Sequence, residues 1–168
     1  MRDYGKSPDG EDMRWLGLSA RMTEINALVG QWSLARLDRW LENRGEIMNR
    51  YHMHLSELPG IGFQGVPPYC TSSRNYMVIL VDPAVSRMTR DDLHTLLMED
   101  GVQTKRYFYP ALHNQTLYLE TVPDYYGQCP VSERIASRSL ALPMYSEMPL
   151  EAVDDICRRI ARIYLRIS

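Results

Sequence analysis

From Thr23 onward a single apolar stripe governs the sequence. Ile25, Leu28, Val29, Trp32, Leu37, Trp40, Leu41, Ile47, Met48, Tyr51, Leu55 and Leu58 recur at helical spacing until Pro59-Gly60 interrupts them. The spacing predicts one long helix over 23–58, capped by Thr23, with Gly30 and Gly45 as the points where it bends or breaks. At about 1.5 Å per residue such a helix is roughly 50 Å long. A compact domain built from 168 residues is about 40 Å across. The helix therefore either bends or projects beyond its own domain, and the indoles of Trp32 and Trp40 need a surface to cover them.

Hydrophobic residues at 45% and charged residues at 24% are values of a folding chain and exclude an intrinsically disordered one. A formal net charge of -2 leaves no electrostatic footprint for nucleic acid or an anionic membrane. No window reaches the roughly 18 apolar residues that span a bilayer. The opening residues carry no basic, apolar and small-residue succession of a secretory leader. Cys70, Cys129 and Cys157 are far apart and form no CxxC pair, so they read as reduced thiols without a zinc site. Together these features predict a cytoplasmic protein.

Before the helix, Gly5, Pro8, Gly10 and Gly17 among charged residues mark a loop or arm whose shape needs outside help. After it, a Gly/Pro-rich connection runs through Pro67-Pro68, and 75–82 (NYMVILVD) reads as a strand ended by Pro83. Thr89 and Asp92 resemble a capping box ahead of Leu93, Leu96 and Leu97, with Gly101 as the stop. Val102 to Tyr109 reads as a second strand ended by Pro110, followed by a loop carrying His113. Pro130 opens a short helix through Ser139, and 140–144 is a short strand candidate. A last helix from Pro149 lines up Val153, Ile156, Cys157, Ile160, Ile163, Tyr164 and Ile167. The order predicts an α/β or α+β layer, a small sheet covered by helices, divided into an arm over 1–22, the long helix over 23–58 and a small domain over 59–168.

Few residues point to chemistry. His52 and His54 are two apart and so face different sides of a helix, which argues against a shared metal; His94 sits among leucines. His113 differs, because it follows a strand at a loop, where ligand-binding side chains concentrate. Lys105, Arg106, Tyr107 and Tyr109 can supply cations and phenols to a phosphate or carboxylate, although strand alternation explains them equally as two faces. Asp91-Asp92 and Asp154-Asp155 read as first-turn acids that complement helix dipoles. Nucleophile triads, Gly-rich dinucleotide turns and P-loops are absent.

Four ordered segments carry a resemblance: Gly17-Leu-Ser-Ala-Arg-Met-Thr-Glu24, Lys105-Arg-Tyr-Phe-Tyr-Pro-Ala-Leu-His113, Val131-Ser-Glu-Arg134 and Leu140-Ala-Leu-Pro143. Together they resemble sugar aminotransferases of the DegT/StrS type, whose first motif is G-x-N-x-R-M-[ST]-E. The resemblance covers essentially the whole chain. It implies the C-terminal small domain of a fold-type I transferase that depends on pyridoxal phosphate (PLP), with its long helix and linking arm.

By that resemblance Ser19, in the place of the motif's Asn, and Arg21 bind the cofactor phosphate, and His113, Tyr107 and Tyr109 bind the nucleotide-linked sugar. The family's Schiff-base lysine lies in a serine- and glycine-rich loop, and neither Lys6 nor Lys105, the two lysines here, has that context. The expectation is a segment that is inactive alone, binds no cofactor by itself, and works as a homodimer or with an N-terminal large-domain partner. A non-catalytic dimerisation or binding module, and one half of a split enzyme, are the alternatives.

Overall fold

Two units make up the chain, Met1–Arg39 and Trp40–Ser168, in a computed structural model that describes residues 4–7, 9 and 12–167, with Ile167 by its backbone only. Pro8 and Gly10, two of the expected loop formers, and the Ile167 side chain lie outside the described residues.

The first unit opens with a tight antiparallel turn. Lys6 bridges Met13, the Tyr4 amide donates to the Leu18 carbonyl at 3.2 Å, and the Arg14 and Trp15 amides both donate to the Gly5 carbonyl. Gly5 has φ +75°, and a Cβ there would lie 1.8 Å from the Trp15 carbonyl oxygen, so only glycine fits. The arm thus has internal backbone bonds that its loop-like composition did not foretell.

Helix α1 (Glu24–Leu34) begins at the expected cap, where Thr23 accepts from the Asn26 amide at 3.3 Å. It buries none of its residues; Ile25, Leu28, Val29 and Trp32, an i, i+3, i+4, i+7 stripe, are 74%, 67%, 58% and 52% exposed.

The expected single helix over 23–58 is two helices, and the division falls at neither Gly30 nor Gly45. It falls at Ala35 and Arg36, ahead of α2 (Leu37–Leu55). The cause is local competition for carbonyls. Arg36 folds back so that its Nη1 donates to the Trp32 carbonyl at 3.1 Å and its guanidinium lies 3.9 Å over the Trp32 ring. The Arg36 amide donates instead to Ser33, tightening the turn.

In the second unit, α2 buries Gly45, Ile47, Tyr51 and Leu55. Four antiparallel strands follow in the order β1-β2-β4-β3: β1 (Ile61–Phe63), β2 (Met77–Val81), β3 (Lys105–Arg106) and β4 (Ser139–Leu142). The sheet is therefore α+β in character. β1 is too short to show alternation and was not legible in the sequence; Gly60, φ +78°, turns the chain into it, and the Asp82 amide ties back to the Gly60 carbonyl at 2.8 Å.

Pro83 does more than end β2, since it opens a short helix, α3 (Pro83–Ser86), capped by Asp82. Helix α4 (Arg90–Glu99) has the full capping box between Thr89 and Asp92. It ends in a Schellman turn, with the Gly101 amide donating to Met98 and the Val102 amide to Leu97, Gly101 standing at φ +80°.

The expected strand over Val102 to Tyr109 is cut to β3, because Val102 is drawn into the core and Phe108 adopts φ +48°, which no ladder accepts. The His113 loop contains a 3₁₀ turn (Leu112–Asn114) and α5 (Thr116–Thr121). It leads to α6 (Pro130–Arg138) with proline at its start.

Helix α7 (Leu150–Ile167) buries Val153, Ile156, Cys157, Ile160, Ile163 and Tyr164 against β2, β4, α4 and α2 core residues. Burial pushes the Cys157 thiol up to about 12. Asp154 and Asp155 sit beyond the first turn of α7, correcting the dipole expectation. Asp154 takes Arg50 at both oxygens (2.6 and 2.8 Å) and His54 Nε2 at 2.9 Å, while Asp155 pairs with Arg159 at 2.7 Å.

The Arg50 and His54 bonds hold the Asp154 carboxyl down to about 2. Its stabilising contribution is present above the unfolded carboxylate value of about 4 and is lost as pH falls toward 2. Asp154→Asn lowers the melting temperature at neutral pH. The gap to the native chain closes between about pH 4 and 2, as followed by circular dichroism melts.

The exposed α1 stripe yields a second expectation. Sedimentation of the isolated chain shows concentration-dependent self-association, and replacing Ile25 and Val29 by Glu suppresses it; a monomer at every concentration refutes it.

Candidate functional site

The loop after β3 is shaped by one buried cation. Arg90, 1% exposed at the start of α4, donates from Nη1 to the Ser139 carbonyl, at the junction of α6 and β4, at 2.8 Å and to the Ala136 carbonyl, in the last turn of α6, at 3.2 Å. Its Nε reaches Asp91 at 3.0 Å, and its guanidinium carbon lies 4.7 Å from the face of Tyr109. Tyr107 packs against Tyr76 edge to face at 5.0 Å and against Phe108 at 4.3 Å. Arg106 pairs with Asp91 at 2.5 Å. Its charge is therefore answered by a carboxylate, and the run from Lys105 to Tyr109 does not form the cluster of free cations and phenols considered from the sequence.

Between this loop and α6 lies a cavity of about 380 Å³ bordered by Tyr107, Phe108, Leu112, His113, Val131 and Ile135, with Ala111, Ser132, Ala136 and Ser139 completing it. Its walls are mostly apolar. His113 is its one imidazole among the described residues, 15% exposed at the side chain, with Nε2 2.8 Å from Glu133 Oε1. The structure thus brings two of the expected substrate-binding residues, Tyr107 and His113, to one cavity. Tyr109, half-exposed, is placed instead on Arg90.

A second, polar cavity of about 270 Å³ is also bordered by Tyr107, together with His52, Gln64, Ser72, Arg74 and Tyr76. Arg74 adopts φ +49°, and its Nη1 donates to the Leu41 carbonyl at 2.6 Å. Gly45 makes room for it, since a Cβ there would stand 2.6 Å from that Nη1. His52 stacks on Phe63 at 4.1 Å, and burial lowers its pKa.

Ser19 and Arg21 lie exposed in the first unit, ahead of the Thr23 cap. Lys6 and Lys105 are also exposed. His94 bonds Thr104 at 2.7 Å, joining α4 to the following loop. Among the described residues no group of His, Cys, Asp and Glu could hold a metal ion, and no helix is long and apolar enough to cross a membrane.

Sequence reasoning assigned no role to Glu133, Arg90 or Arg74. Glu133 stood inside one of the four ordered segments, but nothing in a twenty-residue separation from His113 marks a hydrogen bond. Nothing in the sequence distinguishes Arg90 from any other charge at a helix start.

The sequence matches the DegT/DnrJ/EryC1/StrS aminotransferase family over residues 1–161. It is 28% identical to a dTDP-4-amino-4,6-dideoxy-D-glucose transaminase from Escherichia coli over 142 residues, 84% of this chain and 38% of that protein. A solved structure of DesI in the presence of its TDP-sugar product is 28% identical with TM-score 0.73, and the match covers 97% of this chain and 38% of that one. The fold also matches S. venezuelae DesV in complex with a ketimine intermediate at TM-score 0.83 and 24% identity, covering 97% of this chain and 42% of that one. The chain therefore spans about two fifths of the length of the proteins it matches, their C-terminal part. By the reach of that match, the chain belongs to the DegT/DnrJ/EryC1/StrS aminotransferase family.

Proposed function

We propose that this chain is the C-terminal segment of a cytoplasmic, PLP-dependent aminotransferase that acts on nucleotide-linked keto-sugars for polysaccharide or antibiotic sugars. Residues 1–22 are its linking arm, 23–58 its interdomain helical segment and 59–168 its small domain. The observation that carries this reading is the cavity lined by Tyr107 and His113, an apolar pocket with few convergent polar groups in a chain of an aminotransferase family.

A cofactor phosphate asks for hydroxyl and cationic donors within solvent reach, and Ser19 and Arg21 present one of each on an exposed segment. That donor set fits, and these two residues would hold the phosphate. PLP, when bound, supplies the electron sink for moving the amino group from a donor such as glutamate. In this division of labour His113 and Tyr107 hold the sugar, and Tyr109 braces their loop through Arg90. The α1 stripe gives a large-domain partner, or a second copy in a homodimer, an apolar face to cover.

Neither lysine lies in a serine- and glycine-rich loop of the kind that holds the family's covalent anchor, and both are exposed. Incubation with PLP followed by borohydride reduction leaves both without stoichiometric label in peptide maps. A visible absorption band matched by full labelling at Lys105 overturns that assignment.

Pairing or fusing the chain with the N-terminal part of a relative restores transamination of a nucleotide-linked keto-sugar; failure of every such pairing favours the binding-module reading. In the restored enzyme His113→Ala costs about 1–3 kcal/mol in kcat/KM for the sugar, the range for a lost buried hydrogen bond. A variant that melts earlier with unchanged kcat/KM makes His113 a packing residue.

A further inference from the structure

Glu133 does not border the Tyr107–His113 cavity, although Val131, Ser132, Ile135 and Ala136 on the same helix do. Its place in the first turn of α6 suits a helix dipole. The dipole does not account for its hydrogen bond, in which Oε1 meets His113 Nε2 at 2.8 Å across two separate elements. An ionised carboxylate can only accept, so this bond requires the proton on Nε2. In the neutral ring Nδ1 then carries a lone pair.

We propose that Glu133 is a positioning residue that holds His113 as the Nε2–H tautomer, leaving Nδ1 as the hydrogen-bond acceptor for a ligand in the cavity. The cavity thereby selects a group that donates, a sugar hydroxyl or amine, over a phosphate or carboxylate. The walls act in the same direction. No Lys, Arg, Asp or Glu borders the cavity among the described residues, and Leu112, Val131 and Ile135 are apolar. An anion would lose its water there without gaining a countercharge, whereas a hydroxyl finds an acceptor. Neither Arg90 nor Arg106 borders the cavity; both are bonded to Asp91 and Arg90 also to two carbonyls, although its Nη2 lies buried without a hydrogen-bond partner. The ligand class rests on the sugar reading of this cavity; the tautomer does not.

Nitrogen-proton correlation spectra of the chain, labelled at its four histidines and recorded about two pH units above the ordinary imidazole value of ~6.5, test both parts. His113→Gln assigns the signals. The expected result is an Nε2-bound proton on His113 with slowed exchange. Glu133→Leu abolishes the slowing, and Glu133→Gln, whose amide oxygen still accepts, preserves it in part.

A proton on Nδ1, or slowed exchange that persists in Glu133→Leu, overturns the proposal. Should the Leu variant not fold, the Gln variant decides: protection equal to the native chain overturns it, reduced protection supports it. Titration with methyl α-D-glucopyranoside is expected to move the Nδ1 signal, with several-fold weaker binding in Glu133→Gln, while inorganic phosphate leaves the signal in place. A response to phosphate overturns the selection of donors. A protected Nε2 proton with no response to the glycoside upholds the role of Glu133 and refutes the sugar reading.

Discussion

The Arg90 guanidinium is the constraint on which the candidate site depends. A fully buried cation is tolerated only where dipoles and an acid answer it, and here the Ala136 and Ser139 carbonyls and the Asp91 carboxylate take Nη1 and Nε, leaving Nη2 without a hydrogen-bond partner. Because those carbonyls belong to α6 and the adjoining β4, the same contact that satisfies the charge fixes α6 against α4. Tyr109 then rests on the cation's face. Stripping a buried charge of a partner costs about 3–5 kcal/mol, which is large beside any single loop contact. The loop geometry that brings His113 near α6 is therefore held from beneath, by a residue that is itself no part of the cavity.

The other half of the scaffold is the seating of α2 on the sheet and α7. Burial dominates there: Ile47, Tyr51 and Leu55, two per cent exposed or less, are each worth about 1.5–3 kcal/mol. The partly exposed Arg50–Asp154 pair belongs to a class worth at most about 1 kcal/mol. The polar contacts instead fix how the helix sits. Tyr51 donates to the Pro143 carbonyl at 2.9 Å, and Gly45 leaves space for Arg74 to reach the Leu41 carbonyl. Through Arg74 the register of α2 is coupled to the 72–76 segment that lines the polar cavity.

What the sequence disclosed follows from how local each signal is. Thr89, Asp92 and Gly101 act within four residues of one another or of the helix they bound, and the cap, box and stop were all legible. The six described residues of the α7 stripe were legible for the same reason. The break between α1 and α2 was not, because Arg36 competing for the Trp32 carbonyl has no propensity signature, whereas glycine does. The Val102 to Tyr109 strand was overread. Its β-rich residues satisfied the composition, but the core claimed Val102 and the left-handed Phe108 ended the ladder. In the candidate site, Tyr107 and His113 were singled out by their strand-to-loop position and by the family resemblance, while Glu133 and Arg90 act across distances that no spacing rule spans.

Two histidines of the small domain show how far the partner, rather than the residue type, decides the chemistry. His52 rests on the Phe63 ring, with no carboxylate bonded to it among the described residues, and burial favours its neutral form. His113 is about as enclosed, yet it is bonded through Nε2 to an acid that dictates which nitrogen keeps a proton. Both border cavities that share Tyr107 as a wall. The polar cavity offers its ligand Ser, Gln and Arg side chains; the apolar one offers an oriented imidazole with the hydroxyl-bearing Tyr107, Ser132 and Ser139 among mostly apolar walls.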